Sequence, residues 1–175
     1  MTAALSAIST ADLRAMAREC GVALLKSGLR FATAESCTGG LIASTCTAVP
    51  GSSDWFECSF VTYRIAAKQR LLGVTDATLQ RWGAVSEPTA KEMAIGALQR
   101  SDAGIAVSVT GVAGPSGGDV ATPIGTVWFA WAIRTANDIQ VVQTARHVLP
   151  GDREQVRRGA VATALAGVLA CLASS

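Results

Sequence analysis

Short β-rich runs alternate with capped helical stretches along almost the whole chain, an order that excludes an all-helical bundle and an all-β sandwich. Leu13, Met16, Ala17, Cys20 and Leu24 fall on one helical face, with Thr10 before them as cap and Gly28 after them as stop. This spacing predicts a helix over 11–27. A short strand is expected over 30–34. The stretch Glu35-Ser36-Cys37-Thr38-Gly39-Gly40 reads as a turn into an Ala-rich helix that ends near Thr47. Pro50-Gly51-Ser52-Ser53 breaks the chain. A β-rich run follows over 55–62, then a helix over 63–72 that stops at Gly73.

A short helix is expected over 76–82, and Ser86 caps a longer one to Arg100, with Glu87 and Pro88 in its favoured first turn. Ile105–Thr110 reads as a buried strand and 111–123 as a Gly- and Pro-rich loop. Residues 125–133 and 139–149 alternate as two antiparallel strands joined around Asn137-Asp138. Asp152 caps a last helix to about Leu172. The sum is an α/β fold whose mixed sheet carries helices on both faces.

Composition narrows the function classes. At 175 residues the chain matches one domain, taken as 1–175 with its core over about 10–172. Half the residues are hydrophobic and 16% are charged, which excludes a disordered chain. The net charge of +2, from 15 basic and 13 acidic residues, argues against nucleic acid as a partner. Asp12, Arg14, Arg18 and Glu19 interrupt any signal-peptide core, and the apolar run 159–173 falls short of the roughly 20 residues that span a bilayer, so no membrane partner is expected.

The five cysteines are odd in number, irregularly spaced and form no CxxC pair. They point to a reducing cytoplasm and away from a disulfide framework. His147 is the only histidine, so a metal site lacks ligands and no metal or other cofactor is expected. The Ala-rich segment 159–170 could pack against a copy, which leaves a homo-oligomer open.

Two places could carry chemistry. Ser36, between a strand end and a helix start, sits where unpaired amides stabilise developing negative charge, although the same position also suits a plain N-cap. A serine nucleophile needs a base. His147 lies in an alternating strand and reads as a packing residue, no GxSxG occurs, and arginine does not deprotonate usefully. Among Lys26, Lys68 and Lys91, Lys68 follows a β-run on the weakly charged segment Ile65-Ala66-Ala67-Lys68, with Arg64 and Arg70 near enough to lower its pKa. An ordinary solvated lysine is the competing reading. Tyr63, the only tyrosine, stands five residues earlier and could orient the lysine or relay a proton, or simply pack. The second place is Thr110-Gly111-Val112-Ala113-Gly114-Pro115-Ser116-Gly117-Gly118, a glycine-dense loop that could offer amides to an anion or merely connect two strands.

Seven motifs occur in one order: Ala34-Glu35-Ser36-Cys37-Thr38-Gly39-Gly40; Pro50-Gly51-Ser52-Ser53 with Trp55-Phe56; Phe60-Val61-Thr62-Tyr63 with Lys68; Gly83-Ala84-Val85-Ser86-Glu87; Gly111-Val112-Ala113-Gly114-Pro115; Gly125-Thr126-Val127; and Pro150-Gly151-Asp152-Arg153. Together they closely resemble the CinA C-terminal domain family, whose stand-alone members are nicotinamide-nucleotide amidohydrolases. The resemblance covers about residues 10–172.

It implies a single three-layer αβα domain. It also implies hydrolysis of nicotinamide mononucleotide (NMN) to nicotinic acid mononucleotide and ammonia, with a small-molecule nucleotide as partner and no metal. Ser36 falls on the family's nucleophile, Lys68 on its base and Tyr63 on its supporting tyrosine. Ser53 and Arg153 fall on further active-site positions. On this reading the amides around Thr38, Gly39 and Gly40, or around Gly111, Ala113 and Gly114, hold the oxyanion, and Arg153 could meet the substrate phosphate. The chain departs from the family at Tyr63-Arg64-Ile65, where the family usually reads Tyr-Ser-Asn, and at Ser59, where it usually has glycine. Ile65 motivates the alternative of a degenerate relative that binds a nucleotide or a protein and does not cut.

Overall fold

The computed structural model describes residues 8–174. Helix α1 spans Thr10–Ser27. Its cap is Ser9, one residue earlier than expected. The Ser9 hydroxyl accepts from the Asp12 amide while the Asp12 carboxylate accepts from the Ser9 amide, so two end groups are satisfied reciprocally. Gly28 closes the helix at φ 68°. Strand β1 is Phe31–Glu35, helix α2 Leu41–Thr47, and strand β2 Phe56–Val61, with a short 3-10 turn at Ser52–Asp54 between the last two.

Helix α3, Ile65–Leu72, begins two residues later than its sequence pattern suggests, which leaves Tyr63 outside it. Helices α4 (Asp76–Trp82) and α5 (Glu87–Gln99) follow, the latter capped by the Ser86 hydroxyl on Thr89 N. Strands β3 (Ile105–Gly111), β4 (Thr126–Arg134) and β5 (Ile139–Val148) lead to helix α6, Arg153–Ala173, capped by Asp152.

The five strands lie in the order β2-β1-β3-β4-β5. β1 runs parallel to both β2 and β3, while β3–β4 and β4–β5 are antiparallel, so the sheet is mixed as expected. Side chains alternate across it. Phe31, Val107, Val109, Phe129 and Trp131 form one core with α1, α2 and α6. Ala32, Ala34, Ala106, Ala130 and Ala132 form a second with α5 and the end of α3. The result is a three-layer αβα arrangement. Alanine on the second face brings α5 close to the sheet. Helix α6 is long and apolar enough to cross a membrane, yet more than half of it is buried, with Val156, Ala160, Val161, Leu165 and Val168 in the first core.

The link from β1 to β2 passes through α2 on one face, and the link from β2 to β3 passes through α3–α5 on the other. Connections that leave in opposite directions open a crevice beyond the carboxyl ends of the parallel strands. Ser36, Thr62 and the loop after Gly111 all follow those ends.

Helix α3 is seated by contact with α5 at Gly96, where a Cβ would stand 2.0 Å from the Leu72 carbonyl oxygen. In an ordinary helix position Gly→Ala stabilises by up to about 1 kcal/mol. Here the methyl group would meet backbone, and overpacking of that kind costs about 1–3 kcal/mol. Gly96→Ala is therefore expected to lower the midpoint of thermal unfolding; a raised midpoint would show that the two helices separate freely.

Candidate active site

Strand β1 ends at Glu35, and the chain turns sharply before α2. Gly40 takes φ 91°, a left-handed conformation that glycine adopts without strain. The helix has no side-chain cap at its own N-cap position. Its cap is Glu35, five residues upstream. The carboxylate accepts the amides of Gly40 at 3.0 Å and Ile42 at 3.1 Å on Oε2, and that of Ala43 at 2.9 Å on Oε1. A chain of hydroxyls completes it: Thr33 Oγ1 donates to Ser59 Oγ at 2.7 Å, and Ser59 Oγ donates to Oε1 at 3.3 Å. Glu35 is fully buried. A buried carboxylate needs such donors.

Ser36 is buried on this turn, its amide donating to the Val109 carbonyl at 3.0 Å. Helix α3 brings Lys68 to it from the other face of the sheet. Lys68 Nζ lies 2.8 Å from Ser36 Oγ and donates to the Thr62 carbonyl at 2.7 Å. The lysine is 1% exposed and has no carboxylate partner among the described residues. Burial without a counter-ion disfavours the charged form and brings its pKa down from 10.5 to about 8. The solvated-lysine reading is thereby excluded, and a serine beside an amine whose proton is loosened in this way has the chemistry a nucleophile–base pair needs. The neighbouring Cys37 thiol is pushed up to about 12 by burial and stays protonated.

The other expected residues divide. Tyr63 is exposed, and its hydroxyl accepts from Arg153 Nη2 at 2.9 Å. The hydrogen bonds of Lys68 go to Ser36 and Thr62 and not to Tyr63, so the expected orienting contact is absent. Arg153 also donates to the Gly114 carbonyl at 2.7 Å, which ties the loop after β3 to the end of β2. The amides of Gly39 and Gly40 are already committed, to the Ser36 carbonyl and to Glu35, and do not face an oxyanion. Those of Ala113 and Gly114 make no hydrogen bond among the described residues. The Thr38 hydroxyl is buried and without a partner.

Ser53, expected at the site through the family resemblance, is not brought to Ser36 within this chain. It lies in the turn before β2, and the parallel pairing of Phe56 with Phe31 puts that turn at the amino end of the strands. The five residues of β1 hold it roughly 15 Å from Ser36. His147 packs edge-on against Phe129, with ring centroids 5.9 Å apart, as a packing residue does.

Three participants escaped the sequence reading. Arg157 donates to the Thr38 carbonyl at 2.8 Å; its position one helical turn after Arg153 was the available signal. The Thr62 carbonyl and the Glu35 carboxylate left none, because both depend on long-range pairing. Ile65 is exposed at the first turn of α3, and Ser59 joins the Glu35 network, so the two departures from the family pattern leave the Ser36–Lys68 contact in place. Beside the site a cavity of about 380 Å³ is lined by Leu41 and Ser44 of α2, Arg14 of α1, and Arg153, Arg157 and the ion-paired Glu154 and Arg158 of α6.

With this geometry in hand, the comparisons with known proteins are direct. The model of the CinA C-terminal domain matches residues 13–172. The chain belongs to that family. It is 48% identical over 158 residues to the nicotinamide-nucleotide amidohydrolase PncC of Escherichia coli K12, covering 90% of this chain and 93% of that one. It is 47% identical over 154 residues to the PncC of Pseudomonas putida, covering 88% and 93%. Among solved structures, the competence damage-inducible protein A of Klebsiella pneumoniae aligns with a TM-score of 0.85 at 40% identity over 92% of this chain and 97% of that one. The competence/damage inducible protein CihA of Agrobacterium tumefaciens aligns with a TM-score of 0.83 at 42% identity, over 91% and 94%.

The buried amine has a consequence for stability. Between pH 8 and 10.5 the folded state has released the Lys68 proton while the unfolded state still holds it, so folding strengthens as pH rises through that window. Below it, both states are protonated and the cost of burying the charge, about 3 kcal/mol, is present in full. Lys68→Met is therefore expected to raise stability at pH 7 by about 1–3 kcal/mol in denaturant titrations, and the gap to the parent protein should close toward pH 10.5. A variant less stable than the parent at pH 7 would contradict the buried, uncompensated amine.

Proposed function

We propose that this protein hydrolyses the carboxamide of NMN to nicotinic acid mononucleotide and ammonia, through Ser36 as nucleophile and Lys68 as base. The 2.8 Å contact between a buried, partly neutral amine and a buried serine hydroxyl carries the reading. The PncC names of relatives 47–48% identical along most of this chain supply the substrate.

Neutral Lys68 takes the Ser36 proton as Oγ adds to the carboxamide carbon. The oxyanion that forms meets the uncommitted amides of Ala113 and Gly114, since those of Gly39 and Gly40 are occupied. The ammonium form of Lys68 then protonates the leaving nitrogen, the C–N bond breaks, and ammonia departs from an acyl-serine. Water, deprotonated by Lys68, adds to the ester carbon and expels Ser36, which recovers its proton. The free Thr38 hydroxyl supplies a donor toward the substrate. Tyr63, held by Arg153 at the exposed rim, stands where the nucleotide enters. Arg153, Arg157 and Arg14 give the adjoining cavity a positive wall suited to the substrate phosphate.

Ser36→Ala and Lys68→Met should each abolish ammonia release from NMN while retaining the native circular dichroism spectrum; turnover by either removes that residue from the mechanism. In the parent protein kcat/KM should rise with pH through about 8 and level off above it, because the neutral amine is the active form. A rate that falls across that range would exclude Lys68 as base. Arg153→Ala should raise KM for NMN about tenfold or more; an unchanged KM would place the phosphate elsewhere.

A further inference from the structure

Glu35 stands one residue before the nucleophile, and no hydrogen bond joins it to Lys68. We propose that Glu35 is the positioning residue of the Ser36–Lys68 pair, an inference that rests on the serine/lysine reading above. Its carboxylate reaches across residues 36–39 to the amides of Gly40, Ile42 and Ala43. The turn carrying Ser36 is thereby stapled at both ends, to β1 through the backbone of Glu35 and to α2 through its side chain.

The same residue fixes the other half of the pair. Its main-chain carbonyl accepts the Thr62 amide at 2.8 Å, and the Thr62 carbonyl accepts from Lys68 Nζ at 2.7 Å. One residue therefore sets where Oγ sits and where the anchor of Nζ sits. Serine attack tolerates little displacement, since a shift of about 1 Å at a reacting group costs on the order of 100-fold in rate. Ser59 adds a hydroxyl to the Glu35 Oε1 oxygen that glycine at this position would not supply.

The glutamine isostere keeps the size of the side chain, but whichever way its amide is turned the NH2 group faces at least one backbone N–H donor, so the staple loses at least one of its three bonds while the packing remains. Glu35→Gln is expected to lower kcat for NMN at least tenfold with KM within threefold of the parent. It should also slow the labelling of Ser36 by a fluorescent fluorophosphonate at least tenfold, at a temperature where circular dichroism shows the variant folded. The pH midpoint near 8 should stay in place, because the burial of Lys68 is untouched. Ser59→Gly should show a smaller slowing in the same direction.

A fall of less than threefold in both kcat and labelling overturns the proposal, as does a raised KM at unchanged kcat. If Glu35→Gln does not fold, Glu35→Asp, which keeps the charge but is one methylene too short to reach all three amides, is judged by the same limits. A parent protein that is labelled at Ser36 yet releases no ammonia from NMN overturns the substrate only, and the labelling rates then decide on Glu35. A parent protein neither labelled nor active overturns both.

Discussion

The candidate site of this fold is built around an amine held away from water without a counter-ion. A lysine in that position gives up its proton more readily than one in solvent, and the energy is drawn from folding. The rest of the molecule makes the burial complete. Helix α5 presents Ala90, Met93, Ala94, Gly96 and Ala97 to the alanine face of the sheet and to the end of α3, the helix that carries Lys68. The small-residue composition thus has a specific use. Larger side chains at these positions would hold α5 farther from the sheet and from the end of α3.

The topology decides where the amine points. Because the connections from β1 and β2 leave on opposite faces, α2 and α3 start on opposite sides of one crevice, with Ser36 before one and Lys68 on the other. The antiparallel pair β4–β5 extends the sheet beyond β3 and returns the chain to α6, whose first turns bring Arg153 and Arg157 against Gly114, Tyr63 and Thr38. Cations thus arrive at the rim of the site, while its centre holds no ion pair among the described residues. That separation suits an anionic substrate with a neutral reacting group.

Local chemistry made much of this legible in the sequence. Helix ends were marked by residues that act within one turn: Ser86 and Asp152 accept from amides three residues on, and Gly28 and Gly73 adopt left-handed caps. Elimination among possible bases left Lys68 as a candidate beside the reading of a solvated lysine, the family resemblance made it the base, and the structure places its amine on Ser36. The failures concern distance. Ser53 belongs to a motif close in sequence to Ser36, but α2 runs back along the sheet and leaves it at the far end. Tyr63 precedes Lys68 by five residues, yet the chain stays extended through Arg64, and the phenol meets α6 instead. Ser36 looked like a possible N-cap; the group that caps α2 is the carboxylate beside it.

That last point bears on why a buried carboxylate and a buried amine can stand either side of one serine. Placed together they would pair, the amine would be held in its charged form, and the base would be lost. No hydrogen bond joins Glu35 to Lys68, whose partners are Ser36 and Thr62, and burial lowers the pKa of the lysine. The carboxylate oxygens are turned to three backbone amides of the turn and of α2 and to the Ser59 hydroxyl of β2, so its hydrogen-bonding needs are met without the lysine. The two faces of the sheet keep the groups apart, since Glu35 projects with Phe31 and Thr33 toward α2 while Lys68 arrives with α3. The helix start, the usual source of anion stabilisation, is then occupied by the protein's own anion. The amides of Gly40, Ile42 and Ala43 are thereby taken up, while those of Ala113 and Gly114 in the loop after β3 stay uncommitted.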